Sequence, residues 1–267
     1  MREKTRVVCD TMIWYYIAEG NIIPEIDVDL VATGVSIQEF ASSENIYKKP
    51  ELVKNALKAM QNYHFEIIEF DPWDYIITFC VDISYEPISR ELHKNNLNGF
   101  SHFINGTFDE ALKSIEQREK LENFILNWNE PLVELTNNMN FAIDKIRKER
   151  AKKFNKRENI KDLEDGGLLL EIKEMILDII SARLNISKDE IGEKFNWEKI
   201  ELLVKMWELH WIQILRQNGA KIHLNDIFDL LNMAYVSEKD KYWTLEKSWL
   251  VLMKSNSVTA KYVYEIP

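Results

Sequence analysis

The sequence predicts an α/β protein: a doubly wound parallel sheet interrupted by a long, mostly helical insertion. Three observations predict it. Short β-branched runs alternate with helical patterns near the amino end, as in units that build parallel sheets. Strand signals then disappear from about Glu86 to Gln217, where helical periodicity and charged faces take over. They return after Asn218–Gly219, a pair that reads as a helix stop.

Arg6–Val7–Val8–Cys9–Asp10 is a β-branched run ending in an acid, the pattern of a buried parallel strand. Thr11 to Glu19 reads as an aromatic-rich helix stopped by Gly20. Leu30 to Val35 reads as a second strand, and Ser36 opens the helical pattern Ile37, Phe40, Ala41. Residues 50–62 place Leu52, Val53, Ala56, Leu57 and Met60 on one helical face. Phe65 to Phe70 is a third strand, and Pro72 marks the next helix start. In the middle, helices are expected over 109–127, 132–155, 168–184 and 197–217. Beyond it, strands are expected at Lys221–Leu224, Lys241–Thr244 and Thr259–Tyr264, with helices at 226–236 and 246–254. The core is therefore expected at 1–84 plus 219–267, and the insertion at 85–218.

Composition narrows the function classes. The chain has 267 residues, 46% of them hydrophobic, with only 8 Gly and 6 Pro, which excludes disordered and collagen-like architectures. A net charge of −10 argues against coating nucleic acid by bulk electrostatics. Met1 to Arg6 is polar, and no apolar stretch approaches a signal core or a membrane span, so a cytoplasmic protein without membrane partners is expected. The two cysteines, Cys9 and Cys80, show no ligand or redox spacing and read as reduced core residues.

Active sites of open parallel sheets lie beyond the carboxyl ends of the strands. Asp10 closes the first strand, and Glu39 lies one turn into the helix after the second. Asp226 and Asp229 begin the helix after the expected 221–224 strand, Asp240 precedes the Trp243 strand and Glu246 follows it. Carboxylates gathered at one rim repel by ~4 kcal/mol per pair at ~4 Å in the effective dielectric of a protein surface. Such a group takes up protons or holds a cation. Oxygen ligands without His or Cys select Mg²⁺ or Mn²⁺, which are suited to phosphodiester hydrolysis.

The segments Val7–Val8–Cys9–Asp10–Thr11, Thr33–Gly34–Val35–Ser36–Ile37–Gln38–Glu39–Phe40 and Asn225–Asp226–Ile227–Phe228–Asp229 resemble the signature blocks of PIN-domain nucleases. Asp240–Lys241–Tyr242–Trp243–Thr244–Leu245–Glu246–Lys247 resembles the family's last strand with its Thr-x-Asp ending. The resemblance covers the two ends of the chain and leaves the helical middle unexplained. It implies a PIN-like sheet, Mg²⁺ or Mn²⁺ dependence and endonuclease chemistry, usually on RNA and often in toxins or defence effectors. Asp10, Glu39 and Asp229 match the first three family acids. Glu246 stands where the family has Asp, one methylene longer, and Met12 stands where many members carry a polar residue. Asp226 and Asp240 are supporting metal-ligand candidates.

Each acid has a structural alternative. Ser36-x-x-Glu39 reads as a capping box, and Asp226 and Asp229 suit a helix start. Asp10 is harder to explain this way, because a carboxylate after a buried strand is costly unless paired or metal-bound. Four acids in family order favour the functional reading. The five histidines share no ligand spacing, and His210 between Trp207 and Trp211 reads as a core residue, as do the eight tryptophans. The basic run Lys145, Arg147, Lys148, Arg150, Lys152, Lys153, Lys156 and Arg157 is the one place expected to grip an RNA backbone, with a solvated helix face as the alternative. The competing function is a silent PIN-like module that binds a protein partner or inhibitor through its helices. Oligomeric state stays open.

Overall fold

A computed structural model describes residues 4–25, 27–110, 113–153, 167–217 and 219–265. The amino-terminal part runs β1 (Thr5–Cys9), α1 (Thr11–Ala18), β2 (Val28–Ala32), α2 (Gly34–Ser42), α3 (Asn45–Lys48), α4 (Pro50–Tyr63), β3 (His64–Ile67) and α5 (Pro72–Cys80). The middle carries α6 (Ser89–Ile104), α7 (Ile115–Lys153), α8 (Gly167–Leu184), α9 (Lys188–Lys194), a 3-10 turn (Trp197–Ile200) and α10 (Glu201–Arg216). Next come α11 (Leu224–Asn232), a second 3-10 turn (Met233–Tyr235), β4 (Lys241–Trp243), α12 (Lys247–Lys254) and α13 (Ser257–Ala260).

The fold is α/β. The four strands form one sheet in the order β3-β2-β1-β4, and every pairing is parallel. Alternation along the strands explains why helices cover both faces. Val7, Cys9, Leu30, Ala32 and Trp243 join a core with α1, α4 and α6. Val8, Val31 and Tyr242 point the other way, into a larger core with α5, α8, α10 and α11. The helical middle is therefore continuous with the sheet's packing: Ile172, Ile176 and Trp207 share one core with Val8. Among the described residues no helix is long and apolar enough to cross a membrane.

Two expected strands are not strands. Lys221–Leu224 carries alternating side chains, with Ile222 buried, but α11 already begins at Leu224. The Asn140 side chain takes the place of a neighbouring strand, accepting from the Ile222 amide at 2.9 Å and donating to the Ile222 carbonyl at 2.9 Å. Thr259–Tyr264 is instead α13 followed by one parallel bridge between Tyr242 and Val263. The second strand spans Val28–Ala32 rather than Leu30–Val35, because Thr33 caps α2 and ends the extended run. The two helices expected around Pro131 are one, α7, with the proline inside it.

Gly34 shows what holds α2 at the sheet edge. A Cβ there would lie 1.9 Å from the Phe70 carbonyl oxygen, a backbone atom that cannot swing aside. The same oxygen accepts from the Tyr235 hydroxyl at 2.7 Å. Gly34→Ala is expected to cost about 1–3 kcal/mol, the usual scale of overpacking. Thermal melting checks this, and an unchanged midpoint would show that the segment around Phe70 yields freely.

Two arginines tie the middle helices to the rest. Arg147 of α7 donates to the carbonyls of Ile214, Gln217 and Ala220 at 2.7, 2.9 and 2.8 Å. It thus closes the carboxyl end of α10, where carbonyls lack helical partners. Arg183 of α8 reaches α5, meeting Asp71 at 2.5 Å and the fully buried Asp74 at 2.7 Å.

Candidate functional site

Because the strands are parallel, β1, β2 and β4 deliver the residues that follow them to one edge. Asp10, at 4% exposure, leaves β1 and caps α1. One of its oxygens accepts from the Met12 amide at 3.2 Å and the other from the Thr244 hydroxyl at 2.8 Å, just past β4. The Asp10 amide donates to the Trp243 carbonyl at 2.9 Å, so the carboxyl ends of β1 and β4 are locked in register.

Glu39 is not a capping residue. Thr33 caps α2, accepting from the Ser36 amide at 3.1 Å, which leaves Glu39 free to accept from the Thr11 hydroxyl. Asp229, half-buried on α11, accepts from the indole N–H of Trp249 at 2.7 Å. Glu246 is exposed and accepts from the Ser248 hydroxyl at 2.6 Å.

Asn232 is a buried pin beneath these acids. It accepts from the Thr33 hydroxyl at 2.6 Å and donates to the Cys9 carbonyl at 3.2 Å. One turn from Asp229, it ties α11 both to the end of β1 and to the cap of α2. The three segments bearing Asp10, Glu39 and Asp229 thus meet at one amide, and such a buried polar group is costly unless fully paired.

The acids act on one another electrostatically. Burial pushes the Asp10 carboxyl up and Glu246 adds to this, against the hydrogen bonds from Thr244, Met12 and Thr11. Burial and then the Asp10 charge push Glu39 up to about 8, against the Thr11 hydrogen bond. Asp229 is raised well above the ordinary range by burial, then by Asp10 and Glu39, with the Trp249 indole opposing. Asp10, Glu39 and Asp229 thus lie within electrostatic reach of one another beyond the carboxyl edge, and Glu246 acts on Asp10 and Asp229.

Asp226 and Asp240 do not join them. Asp226 accepts from the His223 amide at 2.7 Å and closes a capping box on α11. Burial would raise it, but His210 and that amide hold it below the ordinary carboxylate range. Asp240 sits before β4, at the opposite end of the sheet. There it pairs with Arg6 and accepts from the Ser237 amide and hydroxyl at 2.9 and 2.7 Å.

The expected RNA grip is divided. Lys145 and Lys148 are exposed on α7, whereas Arg147 is committed to the end of α10. Arg150, Lys152 and Lys153 continue the α7 backbone, and Lys156 and Arg157 lie outside the described residues. Trp249 and Asn232 carried no sequence signal: the indole sits on an apolar helix face, and the amide looks like any helix-end Asn.

An acid raised by its surroundings binds its proton more tightly folded than unfolded. For Glu39 the contribution to stability is full below its ordinary value of 4.5 and is lost as pH rises through about 8. In chelator, the melting temperature is expected to fall across that window, and Mn²⁺ is expected to flatten the fall. A midpoint that rises steadily over the same range would contradict a self-repelling cluster.

The donor chemistry, carboxylates with the hydroxyls of Thr11 and Thr244, suits a hard oxygen-seeking cation. Among the described residues, no three Asp, Glu, His or Cys side chains stand close enough to enclose a metal ion by themselves. Compared with family models, curated proteins and solved structures, the chain matches none.

Proposed function

We propose that this chain is a Mg²⁺- or Mn²⁺-dependent endonuclease of PIN-like architecture that hydrolyses phosphodiester bonds of RNA. The observation that carries this reading is the meeting of Asp10, Glu39 and Asp229. They come from three distant segments at the carboxyl edge of a parallel sheet, where Asp10 raises the pKa of Glu39 and both raise that of Asp229. Folding such a group together without a use for it would conflict with the cost of burying like charges.

The fit to Mg²⁺ does not require a closed protein shell. This ion binds through one or two carboxylates and keeps several waters, which agrees with acids held near one another but not wrapped around a point. At such a site Mg²⁺ or Mn²⁺ supplies Lewis-acid stabilisation of charge developing on a phosphodiester. The chain's own residues do the rest. Thr244 and the Met12 amide aim Asp10, Thr11 holds one oxygen of Glu39, and Trp249 holds one oxygen of Asp229. In the cation-free protein burial and the Asp10 charge favour the protonated Glu39 carboxyl, and a cation held by these acids would favour its ionised form. The test is incubation of the purified protein with RNA and Mn²⁺ beside Asp10→Asn; an intact substrate with the unmutated protein sinks the reading.

Trp249 provides a quieter test. Trp249→Phe removes the indole donor that opposes protonation of Asp229. Loss of a group that orients a metal-binding carboxylate costs about 10–100-fold in metal affinity or activity. Mn²⁺ affinity is expected to fall on that scale, with the larger deficit at low pH. Equal affinity across pH would reduce Trp249 to a packing residue.

A further inference from the structure

Helix α7 carries the basic run that the acid cluster leaves unused, and its two sides differ. The side bearing Ile125, Thr136, Met139 and Ile143 is buried, with Leu132 and Leu135 packed against the core. On the outward side Leu126, Val133 and Phe141 stand 69%, 42% and 74% exposed. They follow one another at seven and eight residues, about two turns each, so they line one stripe of the helix. Exposed Glu130 and Asn137 fill the turns between them. A single exposed apolar residue needs no explanation, but three in one stripe of a 39-residue helix form a surface.

The charge of α7 changes sign along its length. From Ile115 to Val133 there are four Glu against Arg118 and Lys120, and from Glu134 to Lys153 there are six Lys or Arg against three acids. Glu119 and Glu122 precede the apolar residues on the outward side, Lys145 and Lys148 follow them, and all four are exposed. Glu122 also accepts from the Tyr47 hydroxyl, and Arg147 is turned inward to close α10.

A helix with this pattern is complementary to itself when reversed. Placed antiparallel to a second copy, about a twofold axis between Val133 and Glu134, it sets Leu126 against the partner's Phe141. The same register sets Glu119 against the partner's Lys148 and Glu122 against the partner's Lys145, each contact occurring twice by symmetry. The apolar and the charged residues therefore agree on one axis. A parallel pair would bring Glu119 to Glu119 and Lys148 to Lys148, and like charges oppose it. The antiparallel register has a cost beside the axis, where Glu134 meets its own copy.

We propose that α7 is a self-association surface through which two copies of this chain pair antiparallel, with Leu126, Val133 and Phe141 at the centre and the Glu119–Lys148 contacts towards the ends. The basic run then serves a second copy of the chain rather than RNA. None of these residues belongs to the acid cluster, so the proposal stands independently of the nuclease reading.

The experiment measures the mass of the full chain by sedimentation across a dilution series, in chelator and at low salt. The unmutated chain is expected to form a dimer that added salt weakens. Phe141→Glu removes an aromatic contact twice per dimer and is expected to weaken association by about a hundredfold or more. Glu119→Lys turns two attractions into repulsions and is expected to cost about tenfold, as is Lys148→Glu. Glu119→Lys/Lys148→Glu restores both contacts with their signs exchanged and is expected to recover most of the loss, which a misfolded protein would not do. Glu134→Gln is expected to associate more tightly. A chain that stays monomeric at about 100 µM overturns the proposal, and so does a dimer that neither Phe141→Glu nor the single reversals weaken. Loss in both single reversals without recovery in the double overturns the antiparallel pairing. Lys148→Glu that leaves the mass unchanged but weakens binding of an oligouridylate returns the run to RNA.

Discussion

Asp10→Asn is expected to melt, in chelator, at or above the temperature of the unmutated protein, and the proposed Mn²⁺-dependent RNA cleavage is expected to fall about a hundredfold or more. The substitution deletes one negative charge at nearly constant shape. An amide oxygen can still accept from Met12, and the Thr244 hydroxyl can turn to accept from the new amide nitrogen. What disappears is repulsion: Asp10 is a leading cause of the raised pKa of both Glu39 and Asp229. Relief of that repulsion offsets the disturbed hydrogen bond in the cation-free protein. The stability gained on adding Mn²⁺, which scales with binding to the folded state, should shrink. The loss of cleavage is set at the scale of removing one preorganised electrostatic group. A structural acid gives the reverse signature, so a variant that melts several degrees lower in chelator yet still cleaves RNA would show Asp10 to be structural.

Arg183→Met is expected to give the largest loss of stability, about 3–5 kcal/mol, because it strands a buried charge. Asp74 is fully buried and would keep the Tyr85 hydroxyl and the amide and hydroxyl of Ser89, but no cation. Asp71 would lose the same partner while still capping α5. At roughly 2–4 °C per kcal/mol for a chain of this class, the midpoint should drop by about 6–20 °C. The double variant Arg183→Met/Asp74→Leu should recover much of the loss, since apolar replacement of a whole buried pair is often neutral. Failure of the second change to restore anything would mean that Asp74 matters through Ser89 and Tyr85 rather than through its charge.

The placement of the candidate acids was legible in the sequence to the extent that it follows strand ends. Asp10 and Thr244 come directly after short apolar runs, and parallel pairing places them at one edge. Glu39 was visible, but with the wrong rival explanation: the helix starts three residues before Ser36 suggests, so Thr33 does the capping. Asp226 looked equivalent to Asp229, but the His223 amide and His210 hold Asp226, whereas the Trp249 indole holds Asp229. Lys221–Leu224 looked like a strand because its alternation is real. Its partner is a side-chain amide 82 residues away, and no local pattern reveals that. The basic run around Lys145 looked uniform, although one of its members is consumed in closing α10. Residues whose job is to hold another residue, such as Asn232 and Trp249, have no composition or spacing of their own to betray them.

The sheet order also has a consequence for synthesis. β1 is central, and its second neighbour is β4. The Thr244 hydroxyl that completes the Asp10 environment lies 234 residues downstream. At about 5–20 residues per second, tens of seconds separate the emergence of the first acid from that of its partner. For almost all of that interval β1 has an open edge, and Asp229 and Thr244 are missing from the side of Asp10 and Glu39. A half-made chain on the ribosome, surrounded by RNA, therefore carries the parts of the cluster but not the cluster.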